Sequence, residues 1–122
     1  MREVIRAENS GFCFGVKQAI EKTEEQVKLN KEGKRIFTCG PLIHNKLVTD
    51  ELESKGVRIV NSPEEVTQGE TLVIRSHGVG KAIFEECAKR DIQVVDRTCE
   101  FVRRTQKIIE EQYALGKTIV II

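Results

Sequence analysis

The sequence is poor in several features that mark whole classes of proteins. Aromatic residues make up 5% of its 122 residues, tryptophan is absent, and the formal net charge is +1. Nucleic-acid-binding proteins usually combine a basic surface with stacking rings, so this composition argues against one. No apolar run approaches the roughly 20 residues of a membrane-spanning helix, and the N-terminus opens on charges without the apolar stretch of a signal peptide. We therefore expect a cytoplasmic protein that binds neither nucleic acid nor membrane.

Two prolines and nine glycines leave no low-complexity linker inside the chain. The length is typical of one domain, so we expect residues 1–122 to form a single α/β domain. Short runs rich in Val and Ile alternate with amphipathic helical runs, which favours a parallel sheet flanked by helices. The predicted strands are Glu3–Ala7, Arg35–Cys39, Val57–Val60, Thr71–Arg75, Ile92–Val95 and Thr118–Ile122, the last as a buried central strand.

The helical runs have clear apolar stripes and end signals. The first helix carries Val16, Ala19, Ile20, Thr23 and Val27 on one face and Gly33 as its terminator, and the second runs from about Asn45 to Lys55. Ser62-Pro63-Glu64-Glu65 predicts a capping box, and a further helix contains Ile83, Phe84, Cys87 and Ala88. The last helix spans about Cys99 to Leu115, with Phe101, Val102, Thr105, Ile108 and Ile109 predicted to face inward.

The four cysteines form no C-x-x-C pair, so the local signature of a zinc ribbon or a thioredoxin is missing. In a reducing compartment such thiols serve packing, metal binding or catalysis. Cys87 lies on the apolar stripe of its helix and Cys39 ends a strand, so we interpret both as core residues.

Cys13, His44, His77 and Cys99 share a different position: each follows a predicted strand and stands at or before a helix start. The carboxyl ends of parallel strands meet at one rim of a sheet, where α/β proteins bind ligands. Helix N-termini stabilise thiolates there, so the two cysteines are candidate metal ligands. The glycine-bearing loops around the histidines suit a phosphate or diphosphate.

Ligand chemistry leaves two metal sites open. Two cysteines and two histidines would bind zinc if all four met. An iron-sulfur cluster would use the thiolates and leave the histidines to a phosphorylated substrate, but it needs at least one more cysteine unless one iron stays open. The carboxylates lie on helix faces, where solvation is the default, and none is a candidate general acid.

Four ordered motifs carry a specific resemblance. GFCFGVKQAI, GPLIHN, RSHGVG and Asp96-Arg97-Thr98-Cys99 closely resemble the N-terminal part of the 4-hydroxy-3-methylbut-2-enyl diphosphate reductase family, which acts last in the non-mevalonate isoprenoid pathway. The resemblance covers essentially the whole chain but only about the first two-fifths of a family member.

The resemblance implies a cloverleaf of three α/β units around a [4Fe-4S] cluster with three cysteine ligands and one open iron. Residues 1–96 would be its first unit and residues 97–122 the start of the second. Cys13 and Cys99 match two cluster ligands, and the third cysteine has no counterpart here. His44 and His77 match two histidines that hold the substrate diphosphate. The family's proton-donating glutamate lies beyond Ile122, so no catalytic residue is assignable.

The family takes electrons from ferredoxin or flavodoxin, so the resemblance also implies one of these as a partner. An isolated chain with two thiolates is expected to be inactive and to lack a stable cluster. The sequence departs from the family pattern at Arg97 and Glu100, where alanine and proline are usual. We expect these two residues to affect the conformation of the loop and the local electrostatic potential more than the identity of the cluster ligands. A zinc-stabilised or phosphate-binding α/β module without redox activity is the alternative.

Overall fold

The computed structural model describes residues 2–30 and 33–122. Within these residues four strands are formed, and each is followed along the chain by a helical segment. The strands are β1 (Ile36–Cys39), β2 (Val57–Val60), β3 (Thr71–Ile74) and β4 (Gln93–Asp96). The helices are α1 (Phe14–Leu29), α2 (Lys46–Ser54), α3 (Lys81–Lys89) and α4 (Glu100–Ala114), with a short 3₁₀ turn at Pro63–Glu65.

All four strands pair in parallel, in the order β2-β1-β3-β4. In the register, Ile36 lies opposite Val57 on one side and opposite Thr71 on the other. The strand order reverses between β1 and β3, and the crevice at such a switch point is the usual ligand site of doubly wound sheets. The predicted α/β class, with helices flanking a parallel sheet, is confirmed.

Two hydrophobic layers cover the two faces of the sheet, as nearly continuous apolar strands require. Alternate residues of β3 point to opposite faces: Leu72 and Ile74 lie in one layer and Val73 in the other, all fully buried. The first layer includes α3 through Ile83, Phe84 and Cys87, and the second includes α1 and α2 through Ala19 and Leu52.

The predicted helix starts at Asn45 and Ser62 are confirmed. The Asn45 side chain accepts hydrogen bonds from the backbone N–H groups of Leu47 and Val48, at 3.1 and 3.4 Å. The capping box at Ser62 is complete, with Glu65 accepting from the Ser62 N–H at 3.1 Å. These caps fix where the loops leave the sheet.

Two of the predicted strands are absent from the described part of the chain. The segments Glu3–Ala7 and Thr118–Ile122 have no strand pairing, and Val4, Ile5 and Val120 are 92%, 84% and 77% exposed. A strand is stable only beside a neighbour that satisfies its backbone hydrogen bonds. Local β propensity is present in both segments, but neither has such a neighbour among the described residues.

The inward face predicted for the last helix is also wrong for this chain. Helix α4 has no buried residue, and Phe101 and Ile108 are 63% and 50% exposed. Its residues are amphipathic, but neither of the two hydrophobic layers formed by the described residues includes a residue of α4. Within residues 2–30 and 33–122, no helix is long and apolar enough to cross a membrane.

Candidate functional site

Two histidines meet at the switch point of the sheet. His44 lies in the loop between β1 and α2, and His77 lies in the loop between β3 and α3. Their ring centroids are 5.6 Å apart with the ring planes tilted by 39°. Both side chains are exposed, so a ligand can reach both imidazoles at once.

The backbone holds each histidine in place. His44 precedes Asn45, whose side chain caps α2. His77 lies inside a tight turn in which the Gly78 N–H donates to the Arg75 carbonyl at 2.9 Å. Gly78 has φ of +74°, a conformation that costs little only for glycine. The histidine geometry therefore depends on local turns rather than on side-chain packing.

The two candidate cysteines each occupy the N-cap of a helix. Cys13 precedes α1 and is exposed, while Cys99 precedes α4 and is half-buried. Neither thiol makes a capping hydrogen bond within the described part of the chain. Both are free of disulfides, so both sulfurs remain available to bind another group at the positive end of a helix.

Cys99 packs directly against the first turn of α1. The position that a Cβ would take at Gly15 lies 2.7 Å from the Cys99 Sγ atom. Gly15 stands two residues after Cys13, so the fold brings the Cys99 thiol to the N-terminal end of α1, where Cys13 occupies the N-cap position. The Cys99 N–H also donates to the Ser76 carbonyl at 2.9 Å, which connects this cysteine to the loop that carries His77.

Asp96 fixes the junction between β4 and α4. Its Oδ1 accepts hydrogen bonds from the backbone N–H and the hydroxyl of Thr98 at 2.8 and 2.5 Å, and its Oδ2 accepts one from Arg103 at 3.0 Å. On the other side, a Cβ at Gly78 would lie 3.1 Å from the Thr98 methyl group. Thr98, the residue before Cys99, is therefore hydrogen-bonded to Asp96 on one side and lies close to Gly78 of the His77 loop on the other.

Among the described residues, no three His, Cys, Asp or Glu side chains converge closely enough to hold a metal ion. A zinc site of the two cysteines and two histidines therefore finds no support in this arrangement. The donor chemistry fits an iron-sulfur cluster in part: two free, unbonded thiols at helix N-termini suit thiolate ligation, and a cluster would need further ligands.

Cys39 and Cys87 are core residues, as predicted. They are 8% and 0% exposed and lie in the same hydrophobic layer. Burial disfavours the charged thiolate, and it raises the pKa of both thiols above the ordinary value. Neither is suited to ligate a metal at the rim.

Comparison with known proteins then places the chain in a family. The family model described as LytB protein matches residues 4–122. The chain belongs to the LytB family. It is 43% identical over 122 residues to the 4-hydroxy-3-methylbut-2-enyl diphosphate reductase of Caldanaerobacter subterraneus subsp. tengcongensis, across 98% of this chain and 42% of that protein. It is 40% identical over 120 residues to the enzyme of that name from Geobacter sulfurreducens, with 98% and 41% covered.

Two solved structures of LytB relatives are similar in fold. The E-1-hydroxy-2-methyl-but-2-enyl-4-diphosphate reductase from Plasmodium falciparum aligns with a TM-score of 0.82 at 30% identity, over 88% of this chain and 33% of that one. A structure of (E)-4-hydroxy-3-methyl-but-2-enyl diphosphate reductase, the terminal enzyme of the non-mevalonate pathway, aligns at 0.77 and 35% identity, over 95% and 40%. The chain thus spans about two-fifths of the length of its LytB relatives.

Arg97 and Glu100, the two residues near Cys99 at which the sequence was expected to depart from the family pattern, lie in different environments in this LytB chain. Glu100 is exposed in the first turn of α4, where a carboxylate favours the positive helix end. Arg97 is half-buried, and its Nε has no hydrogen-bond partner within the described residues. Its backbone N–H donates to the Ile74 carbonyl at 3.1 Å. The loop therefore keeps its attachment to the sheet despite the larger side chain.

Sequence reasoning missed the supporting residues of the site. Asp96 stood in a recognised motif without a role, although Asp two residues before Thr is a common Asx-turn pattern. Gly15 is one of two glycines near Cys13, and the packing of α1 against Cys99 distinguishes it from Gly11. Its signal in the sequence is weak: a glycine inside the first turn of an otherwise regular helix.

Proposed function

We propose that this chain is the N-terminal part of a reductase that converts 4-hydroxy-3-methylbut-2-enyl diphosphate to isopentenyl and dimethylallyl diphosphates. In this reaction the C4–O bond breaks, two electrons and two protons enter, and the hydroxyl leaves as water. Hydrogen is added at C4 to give dimethylallyl diphosphate, or at C2 with a shift of the double bond to give isopentenyl diphosphate. The observation that carries the proposal is the arrangement at the rim. Two histidines lie 5.6 Å apart at the switch point, and the backbone of Cys99 is hydrogen-bonded to the loop of one of them.

His44 and His77 bind the diphosphate in this proposal. Imidazole N–H groups donate hydrogen bonds to phosphate oxygens, and protonation adds favourable charge. The loops carry glycines that let backbone approach an anion closely, and α2 and α3 start just beyond them. The proton-donating residue is proposed to lie outside residues 1–122.

Cys13 and Cys99 supply two of the thiolates that would hold a [4Fe-4S] cluster. Such a cluster would deliver electrons and offer an open iron as a Lewis acid for the hydroxyl oxygen. The chain's own contribution is to set both sulfurs at helix N-termini, where neither makes a capping hydrogen bond within the described residues. Ferredoxin or flavodoxin is the proposed electron donor, and the cytoplasm is the proposed location.

We place residues 1–96 in the first unit of a three-unit cloverleaf and residues 97–122 at the start of the second. The exposed apolar stripe of α4 supports this division, with Phe101 at 63% and Tyr113 at 73% exposure. A helix with an apolar stripe normally packs against something. The unpaired segment Thr118–Ile122 supports it in the same way.

A chimera tests the function directly. Residues 1–122 would replace the matching segment of the Caldanaerobacter reductase, to which they are 43% identical. We expect the chimera to bind iron and to reduce the diphosphate substrate. Cys13→Ser and Cys99→Ser should each lose at least about 100-fold in activity together with cluster iron, since a hydroxyl is a poor ligand for iron in such clusters. A Cys13→Ser chimera with full iron and full activity would show that Cys13 is not a cluster ligand, and would leave phosphate binding as the role of this segment.

The histidine roles are tested in the same chimera. His77→Ala and His44→Ala should each raise KM about tenfold or more while iron content stays unchanged, because a hydrogen bond to a charged group contributes about 1.5–3 kcal/mol. Lys46→Ala is the matched control, since Lys46 is the first residue of α2, two positions after His44, but its side chain is 85% exposed and paired with Asp50. A KM for His77→Ala equal to that of the Lys46 control would contradict the diphosphate role.

A further inference from the structure

Gly15 occupies a place where a side chain would collide with a thiol. A Cβ built there would lie 2.7 Å from the Cys99 Sγ and 2.9 Å from the Cys99 Cβ. Favourable contacts between carbon atoms begin near 3.5 Å, so both separations are far too short. Gly15 itself is buried, which leaves no open space into which an added methyl group could turn.

The backbone gives no other reason for glycine at this position. Gly15 is the second residue of α1 and does not have a positive φ. Alanine is the better helix former at such a site, because glycine loses more conformational freedom on folding. Of the described glycines, only Gly15 and Gly80 lack a positive φ, and Gly80 faces open space. The contact with Cys99 is thus what separates Gly15 from an ordinary helical residue.

Cys99 cannot move away from α1 without breaking other contacts. Its N–H donates to the Ser76 carbonyl at 2.9 Å. The preceding residue, Thr98, is hydrogen-bonded to Asp96 at 2.8 Å and packs against Gly78. Because the backbone is held on this side, an added methyl group at residue 15 would displace the thiol.

We infer that Gly15 is a positioning residue for Cys99. Its missing side chain lets the Cys99 thiol lie against the first turn of α1, beside the N-cap position that Cys13 occupies. This placement makes the two cysteines a chelating pair for a thiophilic metal. This inference rests on the proposed function and adds a residue to it. Gly15 touches no substrate in this role. It acts through the sulfur that it admits.

A dithiol reagent tests the pair in the 122-residue chain itself. Phenylarsine oxide binds tightly only where two thiols lie close together. We expect it to bind one site per chain, to lose that site in Cys13→Ser, and to bind Gly15→Ala at least about tenfold more weakly. Gly80→Ala is the matched control, the same substitution at a glycine with open space around it, and should bind as the unchanged chain does. Equal affinity of Gly15→Ala and Gly80→Ala would overturn the inference.

A second pair of variants covers the case in which Gly15→Ala fails to fold. Cys99→Gly removes both atoms that the new methyl group would meet. We expect Gly15→Ala to lower the melting temperature strongly in the unchanged chain and to raise or barely alter it in the Cys99→Gly background. The same loss of melting temperature in both backgrounds would mean that Cys99 is not what requires glycine, and would refute the inference.

Iron content of the chimera separates this inference from the proposed function. If Cys99→Ser keeps its iron, the ligand role fails, and the proposed function fails with it. If Cys99→Ser loses its iron while Gly15→Ala keeps a full complement, the ligand role stands and the positioning role of Gly15 is wrong. Loss of iron in both variants, with normal content in Gly80→Ala, supports the two together.

Discussion

At the scale of single residues, the four thiols occupy two different environments. Cys13 is exposed and Cys99 is half-buried, whereas Cys39 and Cys87 are core residues whose pKa is raised by burial. Alkylation requires an accessible thiolate, and a buried thiol with a raised pKa offers neither access nor charge. The division between reactive and inert thiols follows from the position of each residue relative to the sheet.

We therefore expect iodoacetamide at pH 8 to label Cys13 at least about 100-fold faster than Cys87 or Cys39 in the folded chain. Quantitative peptide mass spectrometry after timed quenching measures the four rates. In concentrated urea, which exposes all four thiols, the rates should come within a few-fold of one another. Fast labelling of Cys39 in the folded chain would show that the layer around it opens readily.

The sequence pattern was sufficient to predict the burial of Cys87 and the proximity of the two histidines. It did not predict the residues that hold the site in position. Cys87 lies on an apolar helical stripe, and its burial follows from that period alone. His44 and His77 follow neighbouring parallel strands, so their proximity follows from the topology. Gly15 differs, because its role depends on a contact between α1 and a residue 84 positions later, and no local pattern encodes such a contact.

At the scale of secondary-structure elements, Asp96 connects β4 to α4. One carboxylate oxygen accepts two hydrogen bonds from Thr98 and the other accepts one from Arg103. We expect Asp96→Ala to lower the free energy of unfolding by about 1–3 kcal/mol, since it leaves partly buried donors unpaired. Asp96→Asn keeps an oxygen for Thr98 and should cost about half as much. Urea titration measures both.

Arg103→Met provides the control for Asp96, because it removes the ion pair and leaves the Thr98 hydrogen bonds intact. Arg103→Met should lower the free energy of unfolding by at most about 1 kcal/mol, because the Arg103 side chain is 59% exposed. If Asp96→Asn is as destabilising as Asp96→Ala, the charge rather than the turn holds this junction.

A second electrostatic link joins the start of β1 to the segment before β3. Arg35 donates to the Glu70 carboxylate at 2.5 Å, and the Thr67 N–H donates to it at 3.1 Å. Burial alone would raise the pKa of Glu70, but the hydrogen bonds from Arg35 and Thr67 outweigh it and hold that pKa below its usual value. A carboxylate with a lower pKa in the folded state stabilises the protein above its unfolded pKa.

Glu70→Gln should therefore lower the free energy of unfolding at pH 7 by about 1 kcal/mol, discounted because Arg35 is 48% exposed. The difference between the two proteins should shrink as pH falls below about 4, where Glu70 becomes protonated in the folded state as well. Urea titrations at pH 7, 5 and 3 measure it. Glu85→Gln, at a 57% exposed carboxylate 3.8 Å from Lys81, should show little change at any of these pH values.

The two wrongly predicted strands and the wrongly predicted burial of α4 share one physical cause. The segments Glu3–Ala7 and Thr118–Ile122 have strand-forming residues, and α4 has an apolar stripe, yet none is buried in this chain. Propensity and periodicity report what a segment can bury. Whether a neighbour is present to receive it depends on the rest of the molecule. The correctly placed strands all find their neighbours within residues 36–96.

At the scale of the whole molecule, the proposed function assigns two thiolates to this chain and at least one more to sequence beyond it. Within the described residues, no three metal-binding side chains converge. A bidentate thiol pair holds an iron-sulfur cluster weakly, because each missing thiolate leaves an iron open to water and oxidants. Under the proposed function, the two thiolates of residues 1–122 are therefore not expected to retain a cluster by themselves, even if both cysteines are correctly positioned.

We expect anaerobic reconstitution of the 122-residue chain with iron and sulfide to yield under about 0.2 clusters per chain after desalting, because its two thiolates leave the cluster under-ligated. The chimera with the Caldanaerobacter reductase should retain close to one. Iron and acid-labile sulfide assays, together with the visible charge-transfer absorption, measure both proteins. The Cys13→Ser chimera is the control for adventitious iron. A brown, stoichiometric and redox-active cluster in the 122-residue chain would mean that two thiolates are enough, and the assignment of a further ligand beyond Ile122 would then have to be abandoned.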